Sequence, residues 1–293
     1  MKHLLSKIFF TLFLLFGAIS ASAVSFIDQK ADDTRFSRQQ FAFGQNTLQY
    51  RQADICHDES SKPIIVLYLH GGSSRGSDNE AQLNELAVSA IYTYLSSNAI
   101  PATMIVPQCP SGGGWTGPLC KVLNELMKQY STDGIHDPNR IYVMGGSMRG
   151  TGTWAQVGNF PNSYAAAMPV AGNPSGLDAA NVATTPVRTV MGTEDKLMSI
   201  STVEQFQTEV LAVGGSLQLD IVAGWSHADT CEQSYTDERL DWLFSNVKGN
   251  PTDIKSVVNC HDDSSSVCYD ICGRRIAQPT KGLFIQNRKK YIR

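Results

Sequence analysis

The chain has 293 residues, 42% of them hydrophobic, which is enough for one large domain or two small ones with a buried core. Its formal net charge of −3, from 24 basic and 27 acidic residues, excludes a strongly basic nucleic-acid-binding protein. The charge is uneven, because residues 1–23 and 274–293 carry nine basic residues and no acidic ones. Residues 24–273 therefore have a net charge of −12, and the sequence is an acidic body with a basic tail.

The first 23 residues have the composition of a secretory signal peptide. Lys2 and Lys7 precede an apolar run at 8–16, and the small residues that follow end in Ala-Ser-Ala at 21–23. A membrane anchor is the alternative, but the run is too short to cross a hydrocarbon layer of about 30 Å. We therefore expect cleavage after Ala23 and export to the periplasm, the outer surface or the medium.

The middle of the chain alternates predicted strands and helices. A β-hairpin is predicted around residues 44–46, a strand buried on both faces at 64–69, and a helix that starts near Asp78. Further strands are predicted at 102–107, 140–145, 164–170, 186–191 and 217–222, and further helices at 119–130, 150–157, 198–212 and 233–246. This alternation predicts an α/β fold, with a mostly parallel sheet covered by helices on both faces.

The alternating pattern stops after residue 248. Residues 249–266 are rich in Asn, Asp, Ser and Pro, which is typical of a linker. Residues 269–285 predict two short strands around a turn, a unit too small to fold alone. We therefore divide the chain into a signal peptide at 1–23, an α/β domain at 24–248, and a linker with a β-rich tail at 249–293.

Export affects how the seven cysteines are interpreted, because thiols outside the cytoplasm tend to pair. Seven is odd, so at least one must stay free or pair with another chain. Cys109 and Cys120 lie on either side of a Gly/Pro-rich loop, where a local disulfide would fit. A cluster near the C-terminus has no standard zinc-ligand spacing. It consists of Cys260, His261, Cys268 and Cys272. With no P-loop or dinucleotide-binding glycine motif either, we expect no metal and no other cofactor.

A serine follows the predicted strand 140–145 in a glycine-rich turn that reads Gly145-Gly146-Ser147-Met148-Arg149-Gly150. This resembles the G-x-S-x-G nucleophile elbow, with Arg149 at the last glycine position. In such an elbow the sharp turn exposes the hydroxyl, and the helix N-terminus behind it favours developing negative charge. Because helix and strand pass closely there, Arg149 must leave sideways or the turn must be reshaped.

A serine hydroxyl at its ordinary pKa is a poor nucleophile and needs a base with a carboxylate to orient it. Asp195 and His227 each follow a predicted strand, and the chain order Ser147, Asp195, His227 is the one expected for α/β-hydrolases. His227 would accept the serine proton, and Asp195 would hold the imidazole. Glu194 and Asp220 are other carboxylates nearby in the sequence. We expect the first three residues to form a catalytic triad.

The segment Leu69-His70-Gly71-Gly72 follows an early buried strand, where hydrolases place a backbone N–H for the oxyanion. Gly72 is the expected first donor, because close approach of the backbone to substrate favours a residue without Cβ. The second expected donor is the N–H of Met148, the residue after the nucleophile. His70 is a competing base, although a histidine at this place more often braces the loop.

Five segments together carry a resemblance to a known family. They are Leu69-His70-Gly71-Gly72, Arg75-Gly76-Ser77-Asp78-Asn79, Val106-Pro107-Gln108-Cys109-Pro110, Asp137-Pro138-Asn139-Arg140-Ile141-Tyr142-Val143, and the stretch from Gly145 to Trp154. They resemble secreted α/β-hydrolase esterases, a group with polyhydroxybutyrate-depolymerase-like, feruloyl and acetylxylan esterases and predicted peptidases. The resemblance covers roughly residues 60–247. It implies an α/β-hydrolase fold, a catalytic domain at 24–248 and an acyl-enzyme mechanism.

The predicted function is that of a serine carboxylic-ester hydrolase that removes feruloyl or acetyl groups from plant polysaccharide. Short spacing between the motifs suits a small acyl group on a bulky, soluble substrate. Trp115 and Trp225 lie in loops beside the site and are candidate substrate contacts, unless they only cover the edge of the core. Two alternatives stay open. One is a serine peptidase on the same triad, and the other is a non-catalytic binding protein in which Arg149 reflects lost activity.

The tail carries a second resemblance. Its pattern at 269–275, followed by 281–285 and Lys289-Lys290, resembles the β-rich C-terminal segment of many exported proteins of gut and oral Gram-negative bacteria. Some such segments direct passage through an outer-membrane secretion system, which implies that machinery as a partner. The alternative is a strand pair docked on the acidic main domain. We expect no nucleic-acid partner and no stable membrane span.

Overall fold

The computed structural model describes residues 33–58 and 60–249 and four short strands of the tail. An eight-stranded sheet lies at the centre of the larger part. Its strands are β1 (Ser37–Phe43), β2 (Asn46–Ile55), β3 (Ile64–Tyr68), β4 (Ala102–Pro107), β5 (Ile141–Gly146), β6 (Ala166–Val170), β7 (Val187–Gly192) and β8 (Leu217–Val222). The order across the sheet is β1-β2-β4-β3-β5-β6-β7-β8. Strands β1 and β2 form an antiparallel hairpin, and β2 also pairs antiparallel with β4. Strands β3 to β8 are parallel to one another.

Helices cover both faces of this sheet. They are α1 (Leu86–Ser97), α2 (Pro118–Ser131), α3 (Met148–Asn159), α4 (Ala179–Val182), α5 (Ile200–Ala212), α6 (His227–Gln233) and α7 (Asp237–Ser245). One core cluster joins the sheet to α1, α6 and α7, and the other joins it to α2, α3, α4 and α5. Strand β3 is buried along its whole length because Val66 and Tyr68 enter one cluster while Ile65 and Leu67 enter the other. A continuous apolar run is the sequence that two buried faces require.

The predicted elements agree with the structure except in a few places. The helix expected near Asp78 begins as a 3-10 turn at Ala81–Asn84 and continues as α1. The helix expected at 233–246 is α7, which begins at Asp237, and a separate helix that was not predicted, α6, precedes it from His227 and is capped by the side chain of Ser226. The short helix α4 was not predicted. At every parallel strand the prediction and the structure differ by no more than two residues at either end.

The described residues of the tail form four strands, whereas two were predicted. They are β9 (Cys268–Asp270), β10 (Arg275–Ile276), β11 (Leu283–Gln286) and β12 (Lys289–Ile292). They form an antiparallel sheet in the order β10-β9-β11-β12. The signal peptide at 1–23 and the linker at 250–266 lie outside the described residues. Within the described part of the chain, no helix is long and apolar enough to cross a membrane.

The predicted local disulfide between Cys109 and Cys120 is not formed. Both side chains are buried and carry free thiols. The amide of Gln156 lies 3.3 Å from the sulfur of Cys120, and burial raises the pKa of that thiol to about 11. Of the zinc candidates, the structure describes only the strand of Cys268. The described residues contain no group of three or more side chains that could hold a metal ion.

Iodoacetamide should alkylate Cys56 before Cys109 and Cys120 in the folded protein. Cys56 is exposed, whereas burial raises the pKa of both other thiols and shields them, so its rate should be higher by more than about tenfold. Timed alkylation followed by peptide mapping measures the three rates. The unfolded protein serves as the control, because there the three thiols should react alike. Recovery of a peptide pair linked through Cys109 and Cys120 contradicts the prediction.

Candidate active site

Ser147 lies at a sharp turn between β5 and α3. Its backbone has φ 63° and ψ −126°, a conformation that is uncommon for a residue other than glycine and recurs at functional turns. Its N–H donates to the carbonyl of Val170 at 2.9 Å, which ties the turn to β6. The serine is the N-cap of α3, but its hydroxyl makes no capping hydrogen bond. The hydroxyl is therefore free to interact across the site.

Three side chains from three different loops form a continuous hydrogen-bonded chain. The hydroxyl oxygen of Ser147 lies 2.8 Å from Nε2 of His227, and Nδ1 of His227 lies 2.7 Å from Asp195. The N–H groups of Leu197 and Met198 donate to the other carboxylate oxygen of Asp195, at 2.7 and 3.0 Å. The Asp195 side chain is 0% exposed and that of His227 is 19% exposed. The carboxylate is thus shielded and fixed, while the imidazole remains accessible.

The two other candidate carboxylates are engaged elsewhere. Glu194 is exposed and pairs with Lys196 at 3.1 Å. Asp220 accepts from Arg188 at 2.7 Å and from Arg239 at 2.9 Å. Of the three carboxylates, Asp195 is therefore the one that contacts the imidazole of His227.

His227 is the first residue of α6, which fixes its backbone at the mouth of the site. Cys231 lies one turn further along that helix, with its sulfur 3.9 Å from Nε2 of His227. Hydrogen bonding with Cys231, and then with Asp195, raises the pKa of His227 to about 9 against the opposing effect of burial. The imidazole is therefore a stronger base than a free histidine.

His70 braces the loop that follows β3. Its Nδ1 lies 2.6 Å from the carbonyl of Gly71, and its Nε2 accepts the N–H of Cys109 at 2.8 Å. The indole N–H of Trp115 donates to the carbonyl of His70 at 2.8 Å. Burial lowers the pKa of His70 to about 4, so the ring is neutral and can keep both bonds at pH 7. Its two nitrogens are occupied by the loop, and it is not a base for the reaction.

The same loop carries the first predicted oxyanion donor. Gly72 begins a 3-10 turn that ends at Ser74, and its backbone is exposed. The N–H of Gly71 donates to Glu85 at 3.1 Å, so Gly72 is the glycine of the pair with an amide left for a ligand. Met148 is the first residue of α3, where backbone N–H groups have no partner within the helix. Both amides stay candidate oxyanion donors.

Comparison with known proteins supports this description of the fold. Neither a family model nor a curated protein matches the chain. A thermostable esterase of known structure matches with a TM-score of 0.66 and 24% identity over 73% of this chain. The feruloyl esterase module from Clostridium thermocellum, solved with sinapinate, matches with a TM-score of 0.55 and 12% identity, covering 75% of this chain and 91% of that one. The chain has the α/β-hydrolase fold.

Other α/β-hydrolases of known structure include peptidases. The acylaminoacyl peptidase of Pyrococcus horikoshii matches with a TM-score of 0.56 and 12% identity over 75% of this chain. The chain spans 64% of the thermostable esterase and 43% of that peptidase. Since one fold hosts many functions, activity has to be argued from the site itself.

Arg149, the departure from the α/β-hydrolase elbow pattern, leaves the turn sideways. Its side chain is 5% exposed and forms an ion pair with Glu85, which is 13% exposed and directly precedes α1. The close approach of helix to strand occurs one residue later, where a Cβ on Gly150 would lie 2.2 Å from the carbonyl of Val170. The elbow thus has a glycine at position 150, where β6 passes closely, and position 149 beside it has room for an arginine. The sequence alone gives no sign of this role for Glu85, because a glutamate before a helix is a common helix-start residue.

The structure contradicts the predicted substrate contact of Trp115. Its side chain is 0% exposed, and a Cβ on Gly152 would lie 2.3 Å from that of Trp115, so the indole is packed under α3. Trp225 is only partly buried, and the guanidinium of Arg239 lies 5.8 Å from its ring. Its position two residues before His227 keeps it a candidate contact.

Proposed function

We propose that this protein is a serine carboxylesterase that works through an acyl-enzyme. The observation that carries the proposal is the hydrogen-bonded chain from Ser147 through His227 to Asp195. A hydroxyl on an elbow, a base with a raised pKa and a buried carboxylate are the parts that nucleophilic acyl transfer needs. The non-catalytic alternative loses its main support, since Arg149 pairs with Glu85 and the Ser147 hydroxyl still lies within hydrogen-bond distance of His227.

The proposed reaction has two halves. Ser147 attacks the ester carbonyl carbon while its proton moves to Nε2 of His227, and Asp195 stabilises the imidazolium. The negative oxygen of the tetrahedral intermediate is held by the N–H groups of Gly72 and Met148. The intermediate then expels the alcohol, which takes the proton from His227. Water, deprotonated by His227, then attacks the acyl carbon, the bond from that carbon to the Ser147 oxygen breaks to release the acid, and Ser147 takes its proton back from His227.

Feruloyl or acetyl groups on plant polysaccharide are the proposed substrates. Two things support them: the resemblance of the motifs to that esterase group, and the fold shared with a feruloyl esterase module solved with sinapinate. The loop between β6 and β7 contains only the four-residue helix α4, so it holds no large helical lid. A site without such a lid suits an ester whose alcohol part is bulky. We further propose that residues 1–23 are removed on export and that the tail engages a secretion machinery. Mass spectrometry of the extracellular protein would test this through its N-terminus and the fate of the tail.

A fluorophosphonate probe and a substrate panel test the activity. The probe should label Ser147 in the folded protein, and the panel should show turnover of p-nitrophenyl acetate, ethyl ferulate or acetylated xylan. Turnover of aminoacyl amides alone would assign a peptidase instead. A folded protein that neither labels nor hydrolyses any of them would be a binding protein, and the proposal would be wrong.

Ester hydrolysis should increase as the pH rises through the pKa of His227. The base must be neutral, and its pKa is raised from 6.5 to about 9, so the rate should rise from about pH 7 to about pH 10 with its inflection near pH 9. The measurement is kcat/KM for p-nitrophenyl acetate from about pH 5 to about pH 10, corrected for spontaneous hydrolysis. Asp195→Asn removes one of the groups that raise this pKa, so any residual activity should show its inflection at lower pH. An inflection below the ordinary histidine pKa in the unmodified protein would contradict the prediction.

A further inference from the structure

One buried carboxylate connects the nucleophile helix to the oxyanion loop, defined here as residues 69–74. One oxygen of Glu85 pairs with the guanidinium of Arg149. The other accepts the N–H of Gly71 at 3.1 Å and the hydroxyl of Ser74 at 2.8 Å. Glu85 thus holds the loop on both sides of Gly72, while its partner comes from the first turn of α3.

The arginine fits tightly beneath this loop. A Cβ on Gly71 would lie 3.3 Å from Nη1 of Arg149, and the guanidinium carbon is 5.7 Å from the ring centre of Tyr68, at the end of β3. Burial alone would raise the pKa of Glu85, but the adjacent Arg149 holds it below its ordinary value. The pair is therefore charged at pH 7 and leaves the loop little room to move toward α3.

The two proposed oxyanion donors belong to the two segments that the pair joins. Met148 directly precedes Arg149 on α3, and Gly72 follows Gly71 in the loop. The distance between the two donors therefore depends on the contact between Arg149 and Glu85. We propose that Arg149 and Glu85 are positioning residues that set the geometry of the oxyanion hole. This inference rests on the proposed hydrolase function.

Stability alone does not account for the pair. Nε of Arg149 is buried without a hydrogen-bond partner, which is unfavourable for a charged group. Replacing a buried ion pair by apolar side chains of similar size is often neutral for stability, whereas removing one partner leaves an unpaired buried charge. A double substitution therefore separates positioning from folding better than a single one.

The test is the double variant Glu85→Leu/Arg149→Met in the full chain. It should fold, with a melting temperature lowered only by the loss of the hydrogen bonds from Gly71 and Ser74 to Glu85, and fluorophosphonate should still label Ser147. Because the loop loses the hydrogen bonds at Gly71 and Ser74, kcat for p-nitrophenyl acetate should fall about 10- to 100-fold while KM changes little. Affinity for a trifluoromethyl ketone, whose hemiketal oxygen needs the oxyanion hole, should fall by a similar factor. Glu85→Gln/Arg149→Met, whose amide oxygen can still accept the Gly71 N–H without an unpaired arginine, should retain more of kcat than the Leu/Met variant.

Arg188→Met is the matched control. It removes a buried arginine that pairs with Asp220 on β8 and Glu238 on α7, and Asp220 keeps Arg239 as a partner. Its kcat and ketone affinity should stay at the wild-type level. A folded double variant with wild-type kcat and ketone affinity would overturn the inference while leaving the esterase proposal intact. A wild type that neither labels nor hydrolyses would overturn the proposed function and this inference with it.

Discussion

Replacing Ser147 with alanine should abolish ester hydrolysis and leave the fold intact. Without the hydroxyl no acyl-enzyme can form, and loss of a triad member typically lowers kcat by about 10⁴-fold or more. The serine side chain makes no capping hydrogen bond and contacts His227, so its removal should leave α3 in place. The measurements are the initial rate of p-nitrophenyl acetate hydrolysis, fluorophosphonate labelling and the thermal melting temperature.

His227→Ala should have an effect of similar size, because the two residues act as one unit. The double variant should then be no slower than either single variant. Ser245→Ala, at an exposed serine at the end of α7, is the control and should retain full activity. If the Ser147→Ala protein keeps the wild-type rate, the hydrolysis arises elsewhere and the proposed mechanism is wrong.

Most of the parallel sheet could be predicted from the sequence because β3 to β7 are buried along their whole length, although the edge strand β8 is partly exposed. Strands buried on both faces are near-continuous apolar runs, as at 64–68, and these are recognised without any knowledge of their partners. The positions of the candidate site residues could be predicted by the same argument. Parallel strands end at one edge of the sheet, so residues that come shortly after β5, β7 and β8 lie close together there.

Contacts between side chains far apart in the sequence could not be predicted. Arg149 and Glu85 are 64 residues apart, and neither segment has a pattern that indicates the other. The burial of Trp115 depends on how closely α3 passes over its loop, and glycine spacing alone does not define that distance. The sequence likewise could not show which residue of the elbow faces β6. Arg149 therefore looked like a departure that would disturb the turn, although the residue that β6 approaches closely is Gly150.

Gly150→Ala should therefore destabilise the protein strongly. A Cβ at this position would lie 2.2 Å from the carbonyl of Val170 and 3.0 Å from the Cα of Gly172, and Val170 is part of β6, so its carbonyl cannot move without shifting that strand. In a helix, alanine is favoured over glycine by up to about 1 kcal/mol. Overpacking against a rigid core typically costs about 1–3 kcal/mol and occasionally more, so the clash should decide the sign. Urea unfolding should show a loss of about 2 kcal/mol or more in the free energy of unfolding.

Gly158→Ala makes the same change eight residues further along α3 and is the matched comparison. There a Cβ would meet the side-chain methyl groups of Leu177 at 2.8 and 3.0 Å, which can move by a rotation about a side-chain bond. We expect a small change in stability and wild-type hydrolysis for this variant. Any folded Gly150→Ala protein should also lose activity, since a displaced α3 moves Ser147 away from His227. Equal stabilities for the two variants would mean that α3 does not pass β6 most closely at Gly150, and the explanation for an arginine at position 149 would fail with it.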